Sequence, residues 1–128
     1  MHSETRVLII DDNADLTKII CMILSAEGLL VKECGNLEDG IFCLKDWNPQ
    51  LMLLDVNING DDSRNFCHQI KMEMGENIKV ILMSGDESTL DYKEWSGADD
   101  FISKPFDTNL LIQKISMHLA RNFNSETD

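Results

Sequence analysis

Three acidic side chains follow runs of apolar residues, an arrangement that suits metal binding and phosphoryl transfer. Asp11 and Asp12 come directly after Val7–Ile10, and Asp55 comes directly after Leu51–Leu54. Carboxylates packed together repel one another unless a cation lies between them, and magnesium prefers oxygen ligands. An aspartate carboxylate can also attack phosphorus and form an acyl phosphate. We therefore predict a magnesium site at which Asp55 accepts a phosphoryl group.

Two further polar side chains would complete this chemistry. Ser84 follows the apolar run Val80–Met83, and Lys104 precedes Pro105. Charge on the transferring oxygens needs stabilising groups opposite the metal, and an amine and a hydroxyl would supply them. Each residue alone has an ordinary explanation, as an acid before a helix, a loop serine or a turn lysine. Their shared position after apolar strands favours the functional interpretation.

Apolar patterns predict the strands and helices that must position these residues. The predicted strands are about Arg6–Ile10, Leu30–Cys34, Leu51–Asp55, Val80–Met83 and Phe101–Ile102. Helical patterns separate them, and such alternation gives right-handed crossovers and a parallel sheet covered on both faces. We predict an α/β fold, a flavodoxin-like (βα)5 doubly wound parallel sheet. The strand order 2-1-3-4-5 is favoured because the second strand is the least apolar and suits an edge.

Local signals refine the helices. Asn13, Asn36 and either Asp107 or Thr108 are predicted N-caps, and the fourth helix, Leu90–Ser96, is expected to be short.

Several side chains are assigned no functional role. We expect buried core positions for Leu16, Ile19 and Ile23, packing roles for Met22, Met72, Met74 and Met117, and solvated rings for His68 and His118.

The composition of the chain limits which partners and locations are compatible with it. The chain has 128 residues, 43% of them hydrophobic, which suits one domain over 1–128 with flexible ends at 1–5 and 124–128. A formal net charge of −12 argues against nucleic acid or an anionic membrane as a direct partner. No apolar run reaches the roughly 18 residues of a membrane span. The four cysteines form no C-x-x-C pair, so we expect free thiols and a cytoplasmic location.

The chain resembles the receiver domain of two-component response regulators over nearly its whole length. Any one of the motifs is weak, but all of them in this order are specific. The residues that carry the resemblance are Val7–Asp12, Leu51–Asp55, Ile81–Ser84 and Gly97–Phe106.

The resemblance implies a donor, a metal and a backbone feature. Asp55 would accept phosphate from a phosphohistidine on a sensor histidine kinase or a histidine phosphotransfer protein. Mg²⁺, with Mn²⁺ as a substitute, would be bound by the Asp12 and Asp55 side chains and the Asn57 backbone carbonyl, while Asp11 holds metal-bound water. The bond between Lys104 and Pro105 would be cis, an isomer that only X-Pro bonds adopt at low cost.

The resemblance also implies a signalling switch rather than an enzyme, since the domain would catalyse only its own phosphorylation and dephosphorylation. Ser84 would move to the phosphoryl group, and Phe101 would turn inward. The face made by the fourth helix, fifth strand and fifth helix would then change shape for a partner. That partner would be a downstream protein or an output domain outside this chain. Relay of the phosphate onward and membership of a larger regulator are the alternatives.

Departures from the family pattern affect two loops. The family usually has proline before the glycine after the acceptor, where this chain has Asn59–Gly60, so this loop is expected to be more flexible or differently shaped. Gly85 replaces a usual alanine and would loosen the next loop. In the family, the positions of Asn57 and Asp86 tune hydrolysis, and Asp86 would either orient or repel the attacking water.

Two other functions compete with the receiver hypothesis. A phosphohydrolase of the haloacid dehalogenase type would need a second acid two residues after Asp55, where this chain has Asn57, and a cap insertion that the chain lacks. A non-phosphorylated interaction module is disfavoured because every residue the chemistry needs is present.

Overall fold

The computed structural model describes residues 4–85 and 96–119. Its strands are β1 (Arg6–Ile10), β2 (Leu30–Cys34), β3 (Leu51–Asp55), β4 (Asn57–Ile58), β5 (Asp61–Asp62), β6 (Lys79–Ser84) and β7 (Asp100–Ser103). Its helices are α1 (Ala14–Ala26), α2 (Leu37–Asp46), α3 (Arg64–Met74), extended by a 3₁₀ turn (Gly75–Asn77), and α4 (Thr108–Leu119). Three of the predictions fall on residues outside this range. They are Asp86, the fourth helix except for residue 96, and the flexible ends except for residues 4 and 5.

Five parallel strands form one sheet in the order β2-β1-β3-β6-β7. Because β4 and β5 form a separate two-stranded ribbon, this order equals the predicted 2-1-3-4-5, and the flavodoxin-like prediction is confirmed. The partly exposed strand β2 lies at the edge, as its mixed sequence predicts. The register pairs Ile10 with Leu54 and Asp55 with Met83, so the strands end together. The polar residues after them therefore meet at one edge of the sheet.

The core has two layers, one on each face of the sheet. Strands β1 and β3 alternate their side chains between the layers, which is why their sequences are apolar at nearly every position. The layer beneath α2 and α3 includes Leu8, Ile10, Leu44, Leu54, Cys67, Ile70 and Leu82. The opposite layer, beneath α1 and α4, includes Val7, Ile9, Ile20, Leu24, Leu53, Leu111 and Ile115.

Polar caps begin three of the helices near the carboxyl edge of the sheet. The Asn13 side chain accepts a hydrogen bond from the Leu16 backbone N–H, and Asn36 accepts one from Asp39. At α4, the Asp107 carboxylate accepts from the Asn109 N–H at 2.7 Å. These contacts confirm the predicted caps at Asn13 and Asn36 and identify Asp107, rather than Thr108, at the start of α4.

Several packing predictions are wrong. Ile19 is 54% exposed, because α1 buries the stripe Thr17, Ile20 and Leu24, while Leu16 and Ile23 are half-buried beside it. Met22, Met72 and Met117 are also exposed, at 73%, 75% and 64%, since periodicity does not reveal which stripe faces the sheet. Met74, by contrast, packs against the core.

His118 contradicts the prediction of a solvated ring. Its Nε2 atom lies 2.9 Å from Asp100 Oδ2, and both side chains are 16% exposed.

Within the described residues, no helix has the length and apolar character that a bilayer crossing requires.

Candidate functional site

The carboxylates of Asp11, Asp12 and Asp55 converge and are called the acid cluster below. One oxygen from each lies within 4.8 Å of the others. Asp11 follows β1 and Asp55 ends β3, and these two strands are parallel neighbours in the sheet. Asp11 and Asp55 are buried, whereas Asp12 is exposed. The predicted convergence of the three acids is therefore present.

Lys104 places its ammonium group against this cluster from the loop after β7. Its Nζ atom lies 2.7 Å from Asp11 Oδ2 and 3.2 Å from Asp55 Oδ1. Two backbone features position the side chain: the Lys104 N–H donates to the Ser84 carbonyl at 2.7 Å, and the Lys104–Pro105 peptide is cis, as the resemblance implies.

Charges in the site act on one another. Burial raises the pKa of Asp55, the negative charge of Asp11 raises it further, and Lys104 partly offsets both effects. Burial alone would lower the pKa of Lys104, but the hydrogen bond to Asp11 and the charges of Asp11 and Asp55 raise it above its ordinary value. The lysine therefore stays protonated and neutralises only part of the cluster.

The chemistry of this donor set fits a hard divalent cation. All the side-chain ligands offered by the acid cluster are carboxylate oxygens, which suit Mg²⁺ and Mn²⁺. A bound cation would relieve the repulsion that raises the pKa of Asp55. The acid cluster therefore fits a divalent cation that prefers oxygen ligands, and the identity of the ion stays a prediction.

A pocket of about 400 Å³ opens beside Asp55. Its lining residues are Asp55, Val56, Asn57, Gly60, Asp62, Ser84 and Gly85. The structure therefore brings Ser84 and Asn57 to the same opening as Asp55, as predicted. Asp62 lies at the same opening, and hydrogen bonds from Arg64 lower the pKa of its carboxyl group despite partial burial.

The loop after Asp55 is a tight hairpin. β4 and β5 pair antiparallel, and the two residues between them, Asn59 and Gly60, have φ values of 53° and 87°. Positive φ at both central positions is typical of the type I′ turn that Asn-Gly favours. Proline cannot adopt the φ of Asn59, so this turn has a shape that a proline at position 59 would not allow.

Three polar contacts in and beside this loop were not predicted from the sequence. The Asn59 N–H donates to Asp12 Oδ2 at 2.8 Å, and its side-chain amide donates to the Gly35 carbonyl at 3.2 Å. The buried Ser63 hydroxyl donates to the Asp55 carbonyl. The Asn-Gly dipeptide was the available signal for the hairpin, but nothing local to Ser63 indicates its partner.

Phe101 lies on β7 opposite Leu82. Its side chain is half-buried and packs against the core layer beneath α2 and α3. The face predicted to switch also includes the expected fourth helix, Leu90–Ser96. This segment precedes α4, and all of it except Ser96 lies outside the described residues.

Comparisons with known proteins agree on one family. A model of the response regulator receiver domain matches residues 7–116 of this chain. The DNA-binding response regulator MtrA of Mycolicibacterium paratuberculosis is 28% identical over 119 residues, which cover 91% of this chain and 52% of that protein. The transcriptional regulatory protein ResD of Bacillus subtilis is 29% identical over 119 residues, covering 93% of this chain and 50% of that protein.

A solved structure matches in three dimensions as well. The crystal structure of the receiver domain of NtrX from Brucella abortus has a TM-score of 0.81 at 28% identity, covering 91% of this chain and 99% of that one. The chain spans about half the length of the curated relatives it matches.

Proposed function

Because this chain belongs to the response regulator receiver domain family of two-component systems, we propose that it takes a phosphoryl group onto Asp55. The donor is a phosphohistidine of a sensor histidine kinase or a histidine phosphotransfer protein. The observation that carries the proposal is the position of the Asp55 carboxylate, which contacts the Lys104 ammonium, converges with two further acids and lines a pocket. The domain acts as a switch and catalyses only its own phosphorylation and dephosphorylation.

In the transfer step, a carboxylate oxygen of Asp55 attacks the phosphorus of the donor. The new O–P bond forms as the N–P bond to the histidine breaks, and the electron pair stays on the imidazole nitrogen. The raised pKa of Asp55 works against this step, since the nucleophile must be ionised. Lys104 supports it by holding positive charge next to Asp55.

Mg²⁺ would be held by the carboxylates of Asp12 and Asp55 and by the Asn57 backbone carbonyl, with Asp11 holding a metal-bound water. Bound there, the cation supplies positive charge to the oxygens of the transferring group. The Asn59 N–H fixes the Asp12 carboxylate, and Lys104 fixes that of Asp11. These contacts limit the reorientation that binding would require.

The switch uses Ser84 and Phe101. Once Asp55 is phosphorylated, the Ser84 hydroxyl donates to the phosphoryl group across the shared pocket. Phe101 then moves from its half-buried position further inward, which changes the face built on β7 and α4. This face controls a downstream protein or an output domain outside this chain, and the location is the cytoplasm, where most thiols are kept reduced.

Incubation with acetyl phosphate and Mg²⁺, followed by intact-mass spectrometry, tests the proposal. We expect the mass gain of one phosphoryl group, absent without Mg²⁺ and absent in Asp55→Asn. The matched control is Asp61→Asn, an exposed acid in the adjacent hairpin, which keeps the gain.

Other outcomes would reject the proposal. Turnover of small phosphate esters without a stable adduct would indicate a hydrolase. No reaction with acetyl phosphate or with purified phosphorylated histidine donors would indicate a non-phosphorylated interaction module.

A further inference from the structure

Two cysteine sulfurs that the proposed function does not use lie in contact. The Sγ atom of Cys34, the last residue of β2, lies 3.5 Å from Sγ of Cys43 in α2. The other two cysteines have different surroundings, since Cys21 donates a hydrogen bond to Glu33 and Cys67 is fully buried. All four are free thiols in this structure.

We propose that Cys34 and Cys43 form a reversible intramolecular disulfide that acts on the acid cluster through the end of β2. A disulfide holds its sulfurs about 2.05 Å apart, so these two atoms must approach by about 1.5 Å. That approach draws together an edge strand, which has a neighbour on one side only, and the helix that follows it in the chain. Disulfides of cytoplasmic proteins are usually transient and redox-sensing, which suits such a pair.

Thiol–disulfide exchange with a low-molecular-weight disulfide such as glutathione disulfide would form the bond. Cys43 is half-exposed and Cys34 is buried, so the reagent meets Cys43. The Cys43 thiolate attacks one reagent sulfur, the reagent's S–S bond breaks, and one thiolate leaves. Cys34 then loses its proton, attacks the Cys43 sulfur and expels the second thiolate. The two protein thiols are oxidised, and the reagent is reduced to two thiols.

The second exchange step depends on pH. In the reduced protein, burial first, and the hydrogen bond with Cys43 next, raise the pKa of Cys34 to about 12. Burial still acts on Cys34 after Cys43 has formed the mixed disulfide, so ring closure is expected to accelerate as pH rises.

Backbone hydrogen bonds connect this pair to the acid cluster. The Cys34 carbonyl accepts the Asp11 N–H at 3.0 Å, and the next carbonyl, of Gly35, accepts the Asn59 side-chain amide at 3.2 Å. Asn59 in turn donates its N–H to Asp12. Displacing the end of β2 therefore disturbs the supports of two acids, and this consequence rests on the proposed role of the cluster as a Mg²⁺ site.

The test treats the reduced chain with glutathione disulfide and follows intact mass and thiol count. We expect the loss of two hydrogens and of two thiols, with a peptide map joining Cys34 to Cys43. Cys43→Ser loses this product, whereas Cys21→Ser, the matched control at a half-exposed thiol in α1, retains it. Calorimetric titration is expected to show Mg²⁺ binding about tenfold weaker after oxidation, the usual effect of disturbing outer supports of a metal site.

Three results would overturn the inference: full retention of free thiols, a stable glutathione adduct without ring closure, or a disulfide between molecules. Equal Mg²⁺ affinity of the oxidised and reduced proteins would overturn the link to the acid cluster. A reduced protein that binds no Mg²⁺ would contradict the proposed function as well as that link. The mass and the peptide map would still decide whether the disulfide forms.

Discussion

The Lys104 ammonium and the Asp11 carboxylate lie 2.7 Å apart although 93 positions separate them in the chain. The Asp11 side chain is fully buried, while that of Lys104 is 22% exposed. A buried carboxylate needs a partner, and the loop after β7 supplies one to the acid cluster through Lys104. The same Nζ atom lies 3.2 Å from Asp55, so one lysine contacts both buried acids.

Replacing Lys104 by methionine should reduce both stability and phosphorylation. The variant leaves the buried Asp11 carboxylate without its cation, which costs about 1–3 kcal/mol in the free energy of unfolding. We expect the rate of Asp55 phosphorylation by acetyl phosphate to fall at least about 100-fold. Lys18→Met, at an exposed position in α1, is the matched control. A wild-type rate in Lys104→Met would remove the lysine from the mechanism.

Replacing Asp55 by asparagine should stabilise the metal-free protein at neutral pH. The pKa of Asp55 is raised in the folded state by burial and by Asp11, so its stabilising contribution is present below the unfolded pKa and is lost as pH rises through the folded pKa. The variant avoids that loss, and we expect a gain of about 1 kcal/mol at pH 7 in EDTA, roughly 3–6 °C in Tm.

Thermal denaturation with and without Mg²⁺ measures this effect. Mg²⁺ should raise the Tm of the wild-type protein more than that of Asp55→Asn. Glu73→Gln, an exposed acid in α3, should leave the response to Mg²⁺ unchanged. An Asp55→Asn variant less stable than wild type in EDTA would show that the acid cluster is not under electrostatic strain.

Introducing the proline that the family usually has at position 59 should damage this chain. Asn59 has a φ of 53°, which proline cannot adopt, and its N–H donates to Asp12. We expect Asn59→Pro to lose about 2–3 kcal/mol in the free energy of unfolding and to bind Mg²⁺ more weakly. Asn59→Gly keeps the N–H and the positive φ but loses the side-chain bond to Gly35, so it should bind Mg²⁺ more tightly than Asn59→Pro does. Urea unfolding and calorimetry measure the two effects, and equal behaviour of the variants would contradict the role of the hairpin.

Asp100 should contribute stability that depends on pH. Partial burial would raise its pKa, but hydrogen bonds from Lys114 and His118 outweigh burial, and the pKa is lowered. Its contribution is therefore present above the unfolded pKa of about 3.9 and is lost as pH falls through the folded pKa.

Urea unfolding of Asp100→Asn checks this expectation. We expect a loss of about 1 kcal/mol at pH 7 that shrinks as pH falls below about 4. Glu38→Gln, at an exposed position in α2, should show no such dependence. A loss that is constant with pH would indicate a packing effect instead of the ionic contacts.

Much of the fold was predictable because its signals are local. The strands around Ile10 and Leu54 are apolar at successive positions, and Asn13 and Asn36 are N-cap residues of the helices that follow them. The exposure of Ile19 and the burial of His118 against Asp100 were not predictable. Both depend on how a helix rotates on the sheet, which the rest of the core decides.

The sequence by itself determined where each chemical group enters the fold, since strand periodicity and the parallel-sheet rule place Asp11, Asp12, Asp55 and Ser84 at one edge. Only the tertiary structure decided which atoms meet there. The shared contacts of Lys104, the Asn59 hydrogen bond to Asp12 and the approach of Cys34 to Cys43 depend on strand register and side-chain packing. These relationships join distant parts of the chain, and no local pattern of residue types encodes them.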